Sequence, residues 1–208
     1  MSRNYCQLCL RPEVSCICKF MISTANDLDI IILQHPSEVK QSKATVPLLA
    51  GSLIKCHVFI GEDFKQNDEL QHLLGQYQDN IALLYPSESA HVISKDIKLS
   101  TQQSIRCLVL LDGTWKKAYR LYQLNPFLHS MKHLSLSNDY HGQYQIRKTR
   151  KIGALSTLEA CCYALSVMEN CKDRYAPLLE NFVAFNEFQQ RFVPINQVNN
   201  PDGKRLNE

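Results

Sequence analysis

Asp112, Gly113, Thr114 and Trp115 close the apolar run 105–111. A run of that length and composition reads as a buried strand of a largely parallel sheet. Ligands of open α/β sheets bind beyond the carboxyl ends of the strands. The quartet therefore sets a carboxylate, a hydroxyl and an indole where chemistry is usually done. The competing reading is a plain strand-to-helix turn with Thr114 as the helix N-cap.

A second group, Gln34, His35, Pro36, Ser37 and Glu38, follows another apolar run and is itself followed by Lys40, Lys43 and Thr45. It too would lie at a carboxyl strand end. His35 can serve as a base or as a satisfied turn residue, and Glu38 can orient a substrate amine or cap a helix. A third group is basic: Arg147, Lys148, Arg150 and Lys151 lead into Gly153, Ala154, Leu155, Ser156 and Thr157. Backbone N–H groups at a helix N-terminus can hold a carboxylate, and glycine lets a ligand approach closely. The spacing is neither that of a Walker A loop nor Gly-x-Gly-x-x-Gly, so neither nucleotide-binding fingerprint is supported.

Cys6, Cys9, Cys16 and Cys18 form the fourth group. Four thiolates so close in sequence can close a tetrahedral site without help from distant residues. Zinc is the default metal for a compact all-sulfur site, and it would fold a segment too short to bury its own core. With every position filled by protein, such a metal is structural. Free thiols and an iron–sulfur cluster are the other readings. Cys56, Cys107, Cys161, Cys162 and Cys171 fall in strand or helix patterns and read as small core residues.

These groups need a scaffold, and the patterning supplies one. Apolar runs at 28–33, 55–60, 80–85, 105–111 and 133–136 predict strands. Leu70, Leu73, Leu74 and Tyr77 predict an amphipathic helix, as do Trp115, Ala118, Tyr119 and Tyr122 up to Pro126. Ser156 and Glu159 form a capping box that opens a helix to about 170, and a last helix begins near Tyr175. Strands alternating with helices predict an α/β fold with a mostly parallel sheet. Three units are expected: a Cys-rich zinc knuckle over 1–22, an α/β catalytic domain over 23–193, and a flexible polar tail over 194–208.

Hydrophobic residues make up 45% of the 208-residue chain, enough for a full core, and no run of eighteen apolar residues exists. The start lacks an apolar signal-peptide core, so a cytoplasmic protein is expected. Net charge is only +3, but its distribution is uneven. Seven acids face two lysines over 62–96, whereas 140–158 holds four basic residues and no acid. That asymmetry can steer a polyanion to one face, or mark a solvated basic loop.

The four-cysteine knuckle, the Asp112–Gly113–Thr114–Trp115 quartet and the stretch Gly153, Ala154, Leu155, Ser156, Thr157, Leu158, Glu159, Ala160 together resemble the DTW-domain family. That family is named for an Asp-x-Thr-Trp motif. The His35, Pro36, Ser37, Glu38 block is similar to another of its landmarks. The resemblance runs from about residue 5 to 190.

The resemblance implies a SPOUT-related fold with a C-terminal trefoil knot. It implies an enzyme that transfers the 3-amino-3-carboxypropyl group of S-adenosylmethionine to N3 of a tRNA uridine, with release of 5′-methylthioadenosine. In bacterial members that uridine is tRNA position 47, in the variable loop. Catalytic roles then fall to Asp112, Thr114 and Trp115, with Asp112 as base or orienting acceptor and Trp115 stacking on a ring or anchoring the core. Cofactor contacts fall to Gln34, His35, Gly113, Gly153, Ala154, Leu155, Ser156 and Thr157. RNA contacts fall to Lys43, Lys116, Arg147, Lys148, Arg150 and Lys151, and structural Zn2+ to Cys6, Cys9, Cys16 and Cys18. The partner is tRNA; a monomer or a homodimer fits equally, with no membrane and no protein partner implied. The alternatives are a SPOUT-type RNA methyltransferase, a non-catalytic zinc-knuckle RNA-binding protein, and a thiol redox protein should Cys6 and Cys9 be metal-free.

Overall fold

Ile30, Ile31, Ile32 and Leu33 are all fully buried. Consecutive side chains of a strand point to opposite faces, so a strand with no exposed residue needs cover on both sides. The structure is a computed structural model that describes residues 4–41, 44–93, 104–137, 139–140 and 155–192. It places this strand inside one sheet of six. They are β1 (Asp29–Gln34), β2 (Cys56–Ile60), β3 (Ile81–Leu84), β4 (His91–Ile93), β5 (Cys107–Asp112) and β6 (Lys132–Leu136). Their order is β2-β1-β5-β3-β6-β4, and every pairing is parallel. The expected parallel α/β architecture is what the chain adopts.

Among the described residues, five α-helices cover the sheet: α1 (Val46–Ala50), α2 (Asp68–Gly75), α3 (Trp115–Leu124), α4 (Thr157–Met168) and α5 (Lys172–Gln190). The strand alternation splits the core in two. Ile30, Ile32, Leu108 and Leu110 face a cluster built with α1, α4 and α5, through residues such as Leu48, Leu165 and Phe182. Ile31, Leu33, Cys107 and Val109 face a second cluster built with α2 and α3, through Leu70 and Leu121.

This arrangement decides where a site can form. β1 leads to α1 on one face of the sheet, and β5 leads to α3 on the other. Adjacent parallel strands whose connections leave to opposite faces open a crevice at their carboxyl ends. Gln34 and Asp112, the last residues of β1 and β5, are register partners at that crevice.

The Cys-rich segment folds as short turns, with 3-10 helices at Glu13–Ser15 and Cys18–Phe20. Ile17 and Phe20 from this segment enter the first core cluster. The Phe20 ring meets Phe185 and Phe188 of α5 at centroid distances of 6.0 and 5.3 Å. The knuckle is thus anchored to the α/β body by two apolar side chains.

Three local expectations change. β4 has no counterpart in the sequence reading. It is a three-residue edge strand with His91 and Val92 exposed, too short to show alternation. The apolar stripe read on α3 is only partly its buried face: Ala118 is buried with Leu121 and Tyr122 packs against the second cluster, while Trp115 and Tyr119 are 51% and 57% exposed. A core-anchoring role for Trp115 is therefore excluded. Thr114 occupies the N-cap position of α3, yet its side chain makes no capping hydrogen bond. The tail over 194–208 lies outside the described residues.

Candidate active site and metal centre

Asp112 is 8% exposed, a carboxylate at the end of a central strand. A buried charge is costly unless donors surround it. Gln34 Nε2 donates to Oδ2 at 2.9 Å, and Thr157 Oγ1 donates to Oδ1 at 2.6 Å. The His35 backbone N–H donates to the Asp112 backbone carbonyl at 3.0 Å, which continues the β1–β5 ladder one residue beyond the strands. Three elements thus converge on Asp112: the end of β1, the end of β5 and the first turn of α4.

The capping box aims Thr157. Ser156 Oγ accepts from the Glu159 N–H at 3.2 Å, and Glu159 Oε2 accepts from the Ser156 N–H at 2.9 Å. Ser156 is buried and committed to this cap. Fixing the helix start fixes the direction of the next residue, Thr157, and hence its bond to Asp112. Leu155 lies half-buried just before the cap.

Gly113 sits where no larger residue fits. A Cβ there would come within 2.9 Å of Lys117 Cβ and 3.7 Å of His35 Cβ. The first turn of α3 can therefore fold tightly back over the strand end, which keeps Trp115 close to Asp112 in space as well as in sequence.

The His35 ring is fully engaged. Nδ1 accepts the Ser37 backbone N–H at 3.2 Å, so the proton lies on Nε2, which meets Glu62 Oε1 at 2.8 Å. Ser37 Oγ is also 2.9 Å from Nδ1. Both ring nitrogens of His35 therefore have partners. Glu62 in turn pairs with Arg120 NH2 at 2.8 Å. The Arg120 hydrogen bond, with help from His35, holds the Glu62 carboxyl below its ordinary range. Glu38 Oε1 pairs with Lys117 Nζ at 2.6 Å and ties the loop after β1 to α3. Sequence reasoning missed Glu62, although it stands just past the end of β2, where the carboxyl-end rule applied elsewhere would have found it.

Of the expected contacts, Gln34, Asp112, Gly113 and Thr157 meet at one point, with His35 beside them. Lys116 is exposed on α3. Lys43, Arg147, Lys148, Arg150, Lys151, Gly153 and Ala154 lie outside the described residues.

The four knuckle sulfurs gather separately. Their Sγ atoms all lie within 4.8 Å of one another. Cys6 and Cys18 are 3.5 Å apart, and Cys9 and Cys16 3.8 Å. A tetrahedron with metal–sulfur bonds of about 2.3 Å has edges of about 3.8 Å, so the cluster fits a thiolate-bound zinc-sized ion. Backbone N–H groups of Cys9 and Leu8 point at the Cys6 sulfur and lower its pKa to about 6, favouring thiolate. Burial pushes the Cys56 and Cys162 thiols up to about 12 and raises Cys107 and Cys161 as well.

The parallel sheet, the carboxylate at its crevice and the four-thiol knuckle define one class of protein, and the DTW domain model matches residues 3–190. The chain belongs to the DTW-domain family. It is similar to tRNA-uridine aminocarboxypropyltransferase 2 of Drosophila melanogaster, with 32% identity over 222 residues, 98% of this chain and 86% of the relative. It is also similar to the proteins of that name from Macaca fascicularis, 32% identical over 193 residues, and Mus musculus, 31% identical over 195. Each of those two alignments covers 90% of this chain and 64% of the relative, so the chain spans just under two thirds of their length. No solved structure matches.

Proposed function

We propose that this protein is a tRNA-uridine aminocarboxypropyltransferase. It transfers the 3-amino-3-carboxypropyl group of S-adenosylmethionine to N3 of a tRNA uridine, in the variable loop at position 47. In balance, the uridine N3–H loses its proton and N3 bonds to the γ-carbon of the methionyl arm. That carbon's bond to sulfur breaks, and its electron pair neutralises the sulfonium as 5′-methylthioadenosine leaves.

The observation that carries this reading is the Gln34–Asp112–Thr157 junction in a protein whose relatives bear that activity in their names. Neutral uridine N3 is a poor nucleophile. A carboxylate held by two donors is pre-positioned either to accept the N3 proton or to orient the base. Asp112 has this role here; Gln34 and Thr157 fix its orientation. Gly113 gives close access, and the start of α4 offers N–H groups to the methionyl carboxylate. Exposed Trp115 is placed to stack on a ring rather than to anchor the core. Lys43, Lys116, Arg147, Lys148, Arg150 and Lys151 supply phosphate contacts, which give affinity without sequence reading. Zinc, when bound to Cys6, Cys9, Cys16 and Cys18, supplies folding energy to the knuckle. Kinship with SPOUT enzymes and a C-terminal knot belong to the same proposal; the link 141–154 lies outside the described residues. A cytoplasmic location belongs to that proposal too.

The test is incubation of purified protein with S-adenosylmethionine and unmodified tRNA, then mass spectrometry of the released nucleoside and of the digested tRNA. Methylthioadenosine and aminocarboxypropyl-uridine are expected. S-adenosylhomocysteine would turn the reading to a methyltransferase. Tight tRNA binding with neither product would turn it to a binding module.

A further inference from the structure

Two large aromatic side chains stand open to water beside the Asp112 junction. Trp115 and Tyr119 are 51% and 57% exposed and sit one turn apart on α3. Residues four apart on a helix share a face. The row does not stop there. Tyr122, on the next turn, stacks on Tyr85 with centroids 4.9 Å apart and planes within 13°. Its ring also meets exposed His129 at 4.2 Å. The Tyr85 phenol is pushed up by burial and then by the nearness of Tyr122 and Tyr119, which places Tyr119 beside the stacked pair.

Isolated exposed apolar residues are ordinary. A row of rings is different, because the flat faces match nucleobases and a solvent-exposed aromatic has little other reason to be repeated at helical spacing. The charge is also right. α3 carries Lys116, Lys117 and Arg120 and no acid. Lys117 and Arg120 are held by Glu38 and Glu62. Lys116 is exposed, next to Trp115, with no ion pair among the described residues. Protein-docking faces are also rich in aromatics but poor in lysine; between Trp115 and Tyr119 this helix has two lysines and an alanine.

We infer that Tyr119, in line with Trp115 and backed by the partly buried, mutually stacked Tyr122 and Tyr85, is part of a stacking platform for unpaired nucleotides of the RNA substrate, with Lys116 at their phosphates. The inference rests on the tRNA reading above and deepens it, since it says how the bases flanking the target are held. Every base has a π-face, so such a platform is sequence-tolerant and selects unpaired over paired RNA.

The test compares wild type, Tyr119→Ala and Tyr119→Phe for binding to unmodified tRNA and to a fully paired RNA duplex, with KM and kcat measured in the transfer assay. Melting temperature checks that the exposed substitutions leave folding intact. Tyr119→Ala is expected to weaken tRNA binding about tenfold or more and to raise KM for tRNA, with little change in kcat or duplex binding. Tyr119→Phe is expected to restore both within about twofold, because the ring and not the hydroxyl stacks. Transfer with unchanged tRNA binding and KM in Tyr119→Ala overturns the platform and leaves the transfer reading standing. Weakened binding without methylthioadenosine release from any variant overturns the transfer reading and leaves the platform standing. Equal loss for tRNA and duplex assigns Tyr119 to general surface contact and overturns the platform, as does a wild type that binds no tRNA.

Discussion

Thr157 and Asp112 stand 45 residues apart in the chain and meet through a 2.6 Å hydrogen bond from Oγ1 to Oδ1. A capping box holds the donor, and a central strand holds the acceptor. Both ends are rigid, so the carboxylate has a defined direction before any substrate arrives. Preorganisation of this kind is what positions a proton acceptor without cost at the moment of reaction.

Removal of that donor should therefore be felt in the chemical step. A hydrogen bond to a charged group contributes about 1.5–3 kcal/mol. Thr157→Val, which keeps the shape, is expected to lower kcat by roughly tenfold to a hundredfold, and Thr157→Ser to recover most of it. Steady-state release of methylthioadenosine measures both. Equal rates for the valine variant and wild type would deny Thr157 a positioning role.

Asp112→Asn preserves size but replaces an acceptor-only group with one that is half donor. The new amide faces either Gln34 Nε2 or Thr157 Oγ1, both of which are donors in the native contact. Transfer is expected to fall by at least about a hundredfold, and a modest loss of stability should accompany it. Single-turnover kinetics with saturating tRNA is the measurement; a variant that works at the native rate removes Asp112 from the reaction.

The knuckle should carry one zinc per chain, read by elemental mass spectrometry. Chelation, or Cys9→Ser, should release it and lower the melting temperature, because Ile17 and Phe20 reach the core from this segment. The α/β body should keep its helical signal. Metal-free protein with unchanged melting behaviour would contradict a structural zinc site.

The other thiols should be inert. Cys107, Cys161 and Cys162 are fully buried, and burial pushes Cys162 up to about 12. Alkylation of native protein near pH 8 should spare these three, since the thiolate is the reactive species. Mass mapping before and after denaturation separates the classes. Rapid labelling of Cys161 or Cys162 in folded protein would show that the face packed by α4 opens readily, and labelling of Cys107 that the face packed by α2 and α3 does.

Glu169 is a structural carboxylate at the opposite end of the sheet. Its side chain is 1% exposed. Oε1 accepts the N–H groups of Asp27 and Leu28 at 2.8 and 3.0 Å, and Oε2 accepts from Arg174 at 2.8 Å and from the Tyr175 hydroxyl. It ties the end of α4 to the entry of β1. Glu169→Ala leaves the Asp27 and Leu28 N–H groups and the Tyr175 hydroxyl without this acceptor, while Arg174 keeps Asp27 at 2.9 Å, and should cost about 1–3 kcal/mol, read by denaturant titration. A loss under about 1 kcal/mol would mean that water replaces the carboxylate.

Much of this protein is written locally. The runs around Ile30–Leu33 and Leu108–Leu110 are apolar at every position, which only a strand covered on both faces needs. The capping box is a contact between residues three apart, and the four cysteines lie close enough in sequence to form a site of their own. Each of these is decided by hydrogen bonds or spacings within one turn or one short loop, so the amino-acid order alone reveals it.

What meets Asp112 is not local. Gln34 and Thr157 lie 78 and 45 residues away. They arrive there because β1 pairs with β5 in one register and α4 docks on the face shared with α1. The exposure of Trp115 was equally hidden: the stripe from Trp115 to Tyr122 has a helical period, but the helix rotates so that Ala118 and Leu121 face the sheet. His35 loses its freedom to Glu62 for the same reason, since two loops become neighbours only when β1 and β2 align. Periodicity determines that a face is buried; the docking of whole elements, which depends on every other element in the sheet, decides which face it is and whom its polar ends touch.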